Sequence, residues 1–198
     1  MSELLVSLVV FAVVATATPG GATTLATASG AQFGFTRSVP FIAGIVTGLA
    51  SLAATAGGGL GTIVQSVPEL QAGLRITGSA YLLWLAWTIG RLGAPASRKV
   101  AAASPIGFFK GLLLLWLNPK GWTMALAAAS AYAGLSDNPL RLALLLSAVF
   151  GLAATLSLTL WCMGGRWLSC VLKTEMQWRI ANVTLGLLLA ASVVPMWR

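Results

Sequence analysis

Lys120 stands inside a long apolar run, between Pro119 and Gly121 and directly after Asn118. A lysine at mid-bilayer depth costs about 2.5–3.5 kcal/mol on insertion scales, so something must offset it. Facing a cavity, its ammonium can hold a carboxylate or gate the passage of one. If the segment is displaced, the same side chain can instead snorkel to the interface as an anchor. Asn118 offers an amide donor pair and a carbonyl acceptor, which suit a ligand or stray backbone carbonyls equally. One hundred positions earlier the chain reads Thr18-Pro19-Gly20-Gly21, again inside an apolar run, with Thr23, Thr24, Thr27 and Ser29 following. These hydroxyls can line a polar path or simply bond their own helix. A proline removes one helical hydrogen bond and clashes with the preceding turn, and an adjacent glycine loosens the helix further. In hydrocarbon the freed carbonyls are costly unless protein or a water-lined cavity receives them. Two interrupted segments in corresponding positions of two halves are the sequence mark of a carrier's binding site.

The elements that must position these residues are membrane helices. The chain has 198 residues, of which 58% are hydrophobic and 8% charged, with a mean hydropathy of +0.89. A soluble domain carries about 25% charged residues, so this is an all-α polytopic membrane protein without a soluble domain. Apolar runs long enough to span occur at about 4–28, 39–64, 71–91, 106–133, 140–164 and 178–197. Pro19 breaks the first and Pro119 the fourth. A polar connection, 94–105, divides the chain into a first half, 1–93, and a second half, 106–198. Three spans per half is an odd number, so the halves are expected to enter from opposite sides as inverted repeats within one membrane domain.

Charge gives the orientation. The net charge of +8 and pI near 10.6 come without a basic stripe or a nucleic-acid motif. Arg37, Arg91, Arg98, Lys99, Lys110, Arg166, Lys173 and Arg179 fall on one side, and Arg75, Arg141 and Arg198 on the other. The positive-inside rule then puts the first side in the cytoplasm and both termini in the periplasm. Leu4 to Ala17 ends in a small-residue Ala-Thr-Ala triplet, but Glu3 and the lack of a basic leader favour a retained first helix over a cleaved signal.

Gly44, Gly48, Ser51, Thr55 and Gly58 fall on one face of the second segment and let another backbone approach closely. That face is expected to form a helix seam within one subunit; a substrate path or a dimer contact would use the same stripe. Trp161, Trp167, Trp178 and Trp197 are expected in interfacial belts. Trp116 and Trp122 flank the second break. Cys162 and Cys170, if on one helix, lie about 12 Å apart along its axis, too far for a disulfide; both are expected buried and inert. The acids Glu3, Glu69, Asp137 and Glu175 all fall at connections or ends, and there is no histidine. A buried-acid proton relay and a chelating metal site are therefore not evident.

The run Thr18-Pro19-Gly20 through Ser29-Gly30, Gly34-Phe35, Arg37, Pro40 and Gly44-x-x-x-Gly48 resembles the lysine/homoserine exporter (LysE/RhtB) family. Arg75-x-x-Gly78-x-x-Tyr81-Leu82-x-x-Leu85 and Phe108-x-x-Gly111 followed by Leu117-Asn118-Pro119-Lys120 resemble it too. The resemblance implies a small inner-membrane secondary carrier that exports amino acids or their derivatives, driven by an ion gradient, with no cofactor and no enzymatic activity. The family's first break usually reads Pro-Gly-Pro, often with Asn next; here it is Pro19-Gly20-Gly21-Ala22. That departure puts a particular substrate in doubt more than it does the class of activity.

On this reading Pro19, Gly20, Gly21, Thr23, Thr27, Asn118, Pro119 and Lys120 form a midplane substrate site, with Tyr81 on its wall. Lys120 meets a carboxylate, which leans towards neutral amino acids. Gly44 and Gly48 pack helices, and a homodimer is permitted without being required. The competing reading is a non-transporting membrane scaffold assembled through Gly44 and Gly48, in which both prolines are kinks and Lys120 snorkels.

Overall fold

The computed structural model describes residues 2–59, 67–91 and 106–197, and every regular element among them is a helix. In chain order these are α1 (Ser2–Ala17), α2 (Gly21–Phe33), α3 (Phe35–Gly57), α4 (Pro68–Gly90), α5 (Phe108–Trp116), α6 (Pro119–Ala131), α7 (Pro139–Val171) and α8 (Glu175–Ala191). Short 3-10 turns occupy Ala133–Leu135 and Val194–Trp197. The end of the expected second segment (60–64), the connection 94–105 with Arg98 and Lys99, and Arg198 lie outside the described residues, as does the Arg75 side chain.

Helices α3 and α7 are each long and apolar enough to cross a bilayer. The pair α1 and α2 passes the same test as one broken span, bent by 57°. Local sequence sets the starts. Asn138 accepts hydrogen bonds from the Leu140 and Arg141 amides, with Pro139 in the first helical position. There the missing N–H of proline costs nothing, because the first turn has no partner for it. Thr174 and Gln177 cap α8 reciprocally, so that helix begins at Glu175 rather than at 178.

Two boundaries differ from the sequence reading for physical reasons. Gly34, at φ +75°, is the whole link between α2 and α3, and Arg37 therefore sits in the first turn of α3. Gly164-Gly165 does not stop α7, which runs on to Val171. Gly165 is buried against α2, and packing there outweighs glycine's poor helix propensity.

The core is organised around α3 and α7, which pack along each other. Helix α7 also lies against α1 and α2, while α3 lies against α5 and α6, and α4 packs on α8. Two crossings are closed by reciprocal glycines. A Cβ on Gly30 would overlap the Cys162 carbonyl, and one on Gly165 would overlap the Thr27 carbonyl. Between α3 and α5, Gly44 meets the Phe108 carbonyl and Gly111 meets the Phe41 carbonyl. Such backbone contact is how helices associate where lipid removes the hydrophobic driving force between them. On α7, Leu146, Phe150, Ala154, Ser157 and Cys162 are buried, while Leu144, Leu152, Leu156 and Leu160 are exposed. An apolar outer face of that kind suits lipid contact.

Three side chains differ from expectation. Cys170 is exposed rather than buried, because α7 extends past the packed region. Trp178 is buried, not in a belt, and its indole N–H donates to the Leu172 carbonyl at 3.1 Å. Trp161 is half-buried and bonded to another helix.

The neighbouring glycines of α7 give an internal control. Gly165→Ala should destabilise the protein by about 1–3 kcal/mol, because its methyl meets a carbonyl that cannot yield. Gly164→Ala has nothing within 4 Å of the new methyl and should be neutral or slightly stabilising. Thermal unfolding midpoints of the two detergent-solubilised variants measure the difference.

Candidate functional site

The two interruptions meet. Where α1 stops, its last carbonyls have no partner within the helix. The Thr16 carbonyl accepts from Ser157 Oγ at 2.8 Å, and the Ala17 carbonyl from Trp161 Nε1 at 3.2 Å. The Thr18 carbonyl accepts from Lys120 Nζ at 3.1 Å. Ser157 and Trp161 are four apart on α7 and so share one face. Three helix-end carbonyls are thus received by donors from α7 and α6.

Beyond Pro19 the chain turns by folding one hydroxyl onto Gly20. The Gly20 amide donates to Thr23 Oγ1 at 2.8 Å, and Thr23 Oγ1 donates to the Gly20 carbonyl at 3.0 Å. Thr27 Oγ1 donates to the Thr23 carbonyl at 2.9 Å, and Thr16 Oγ1 to the Ala12 carbonyl at 2.8 Å. These hydroxyls serve their own backbone, which was the plainer of the two expectations for them.

The second break is capped from inside. Asn118 Oδ1 accepts from the Lys120 amide at 3.0 Å, which caps α6, and Pro119 occupies its first position. Trp122 Nε1 donates to the Trp116 carbonyl at 2.9 Å, and Trp116 Nε1 to Ser51 Oγ at 3.1 Å. The two indoles meet edge to face at 5.6 Å. The Leu117 carbonyl lies against Gly78 of α4, where any Cβ would overlap it.

Between the breaks lies a cavity of about 40 Å³. Thr18, Gly20, Gly21 and Thr23 line it from one break, and Asn118 and Lys120 from the other. Ile45, Leu49, Leu115, Met124 and Leu158 close it with an apolar wall. A Cβ on Gly20 would stand 3.3 Å from Lys120 Nζ, and one on Gly21 3.1 Å from a Leu82 methyl. Both glycines are therefore places of close approach. Among the described lining residues Lys120 carries the one formal charge. A volume of this size holds about one water.

Of the residues singled out from sequence, Gly20, Gly21, Thr23, Asn118 and Lys120 come together here. Pro19 is exposed, Pro119 is half-buried, and neither lines the cavity. Thr27 points along its own helix. Tyr81 is stacked on Trp84 of the same helix at 6.0 Å and is not on the wall of this cavity. Gly44 and Gly48 face α5 of the same chain. Sequence reasoning missed Ser157, and it placed Trp161 in an interfacial belt. Nothing in the run singles them out, because Thr155 and Thr159 stand beside them as equally polar side chains.

The family model for the LysE type translocator matches residues 13–193. A cysteine/O-acetylserine efflux protein of Salmonella typhimurium (strain LT2) is 27% identical over 148 residues, covering 75% of each chain. Its counterpart of the same name in Escherichia coli (strain K12) is 25% identical over 177 residues, covering 89% of each. No solved structure matches this chain.

The pairing of the first break is open to a direct test. Ser157→Ala removes the donor to a buried carbonyl and should cost about 1–3 kcal/mol of stability. Thr155→Ala, whose exposed hydroxyl bonds only its own helix, should stay within about 0.5 kcal/mol. Equal thermal midpoints for the two variants would refute the pairing.

Proposed function

We propose that this chain, which belongs to the LysE type translocator family, exports small neutral amino acids or their derivatives across a bacterial inner membrane. Members of the family are translocators, not enzymes, and the chain is an amino-acid exporter. The relatives at 25–27% identity are named for cysteine and O-acetylserine, both neutral zwitterions with short side chains. The same class fits a site with one cation and no acid on its described wall.

The single observation that carries the mechanism is the position of Lys120. Its half-buried side chain brings the ammonium to a neutral carbonyl, that of Thr18, which holds it. A carboxylate is a stronger acceptor for it, by charge. Substrate binding then exchanges that bond for an ion pair and releases one of the three ties on the end of α1. Asn118, with its carbonyl oxygen spent on the α6 cap, turns its amide nitrogen towards Gly21 and offers a second donor. The cavity is too small for an amino acid, so the breaks must part to admit one. Pro19 and Gly20 supply the hinge.

Six spans in two inverted halves, 1–93 and 106–198, suit this arrangement. Helix α7 receives α1 and α2 in the way that α3 receives α5 and α6, which is the relation a twofold axis would produce. The basic residues place the α2–α3 turn and the α7–α8 link in the cytoplasm, with both termini outside. One half rocking against the other, driven by an ion gradient, gives alternating access. The scaffold reading loses its assembly face, because α5 of the same chain occupies the Gly44 and Gly48 side of α3.

Efflux from cells loaded with labelled L-cysteine, O-acetyl-L-serine and a wider amino-acid panel tests this. Wild type should export neutral members selectively, and Lys120→Ala at matched membrane expression should lose about tenfold or more of the rate. Lys120→Arg, which keeps the charge, should retain part of it. Full-rate export by Lys120→Ala would remove the lysine from the mechanism. No export of any panel member by wild type would overturn the substrate class.

A further inference from the structure

A second and much larger cavity, about 850 Å³, opens where the α2–α3 turn meets the end of α7 and the start of α8. Arg37, Arg166 and Lys173 line it, and Glu175 is the one acid among the described lining residues. All four side chains are exposed, and the Arg37 guanidinium lies over the Phe33 ring at 5.9 Å. Leu172 and Trp178 add an apolar wall. The mouth therefore presents three positive charges, one negative charge and apolar surface.

Helix α2 is common to both cavities. Gly21 and Thr23 border the central one, and Gly30 to Phe33 border this one. Thr23 and Gly30 are about 10 Å apart along the helix. What separates the cavities is the α2–α7 seam, where Gly30 meets the Cys162 carbonyl and Gly165 meets the Thr27 carbonyl. At those two points the contact is backbone against backbone.

We propose that this mouth is the cytoplasmic capture site for the exported amino acid. Arg37, Arg166 and Lys173 draw in the carboxylate, and Glu175 receives the ammonium, before the α2–α7 seam parts towards the central cavity. This rests on the exporter reading above. Exposed charges bind weakly and are screened by salt, which suits a site that must hand its ligand on. The acid distinguishes it from a seat for an anionic lipid, whose phosphate would gain nothing from Glu175. Because capture reads only the amino and carboxyl groups, any small neutral amino acid can serve as a probe.

The test uses Ser169→Cys, on the wall of the mouth, in a Cys170→Ser background. Cys162 stays in place because it is fully buried. The full chain in phosphatidylcholine nanodiscs, open on both faces, is treated with an anionic and a cationic methanethiosulfonate. The anionic reagent should react faster by about tenfold, and Arg37→Gln with Arg166→Gln should erase the preference. Millimolar L-serine should slow the anionic reagent, and choline, which lacks a carboxylate, should not. Equal rates for both reagents, or no protection by L-serine, would overturn the proposal. So would protection by phosphatidylglycerol in its place, which would give the cations to a lipid headgroup. In efflux, the double variant should raise the half-saturating concentration by about threefold or more with the maximal rate retained, whereas Lys120→Ala loses the rate itself. Labelling needs no transport, so a protected mouth in a chain that exports nothing would sink the exporter reading, and capture for export with it, and leave only an amino-acid binding site.

Discussion

The constraint on which the rest of this structure depends is the hydrogen bonding of three carbonyls at the end of α1. A helix end leaves carbonyls with no partner inside the helix, and each is costly away from water until a donor arrives. Thr16, Ala17 and Thr18 receive theirs from Ser157, Trp161 and Lys120. The consequence is architectural. Helices α7 and α6 must come to the break, which brings the Asn118–Lys120 break against the Pro19–Gly21 break. The half-buried lysine is explained by the same arrangement, since it has an acceptor that the first break created.

Close backbone approach does the remaining work. At the α2–α7 and α3–α5 crossings, glycines face carbonyls of the opposite helix. Polar groups buried beside these seams are paired as well. Ser29 and Ser38 share a hydrogen bond at 2.7 Å across the α2–α3 turn, and Gln32 Nε2 donates to Asn182 Oδ1 at 3.3 Å. At the glycines themselves the contact is backbone against backbone, with no side chain from that position to interlock. That is the kind of interface a carrier can afford to open.

Much of this was legible in the chain because it rests on local rules. The two breaks follow from proline's missing N–H. The mid-membrane cost of Lys120 identified it as a residue that needs a partner. What was not legible was who that partner would be. Nothing in the spacing of Thr18 says that its carbonyl will lie beside a side chain more than a hundred residues away. For the Thr23 and Thr27 hydroxyls the sequence left lining and local bonding open; both bond the backbone, and Thr23 also borders the cavity. Tyr81 failed as a wall residue because only tertiary placement decides which face of α4 meets the cavity. The run-on of α7 past 164 is the same lesson, since packing against α2 outweighs the poor helix propensity of Gly165.

Helix α7 also acts as a ruler. Its 33 residues make a rod of about 50 Å, against a hydrocarbon core of about 30 Å. Between Arg141 and Arg166 it carries no charge, a stretch of about 38 Å. The excess over the core is absorbed by tilting the rod or by lifting its basic ends into the headgroups. Ser157 and Trp161 ride on this rod, so the height and angle at which they reach α1 depend on it. A thinner bilayer favours a steeper lean. The thickness of the host membrane thereby becomes a mechanical input to the broken helix at the centre of the protein.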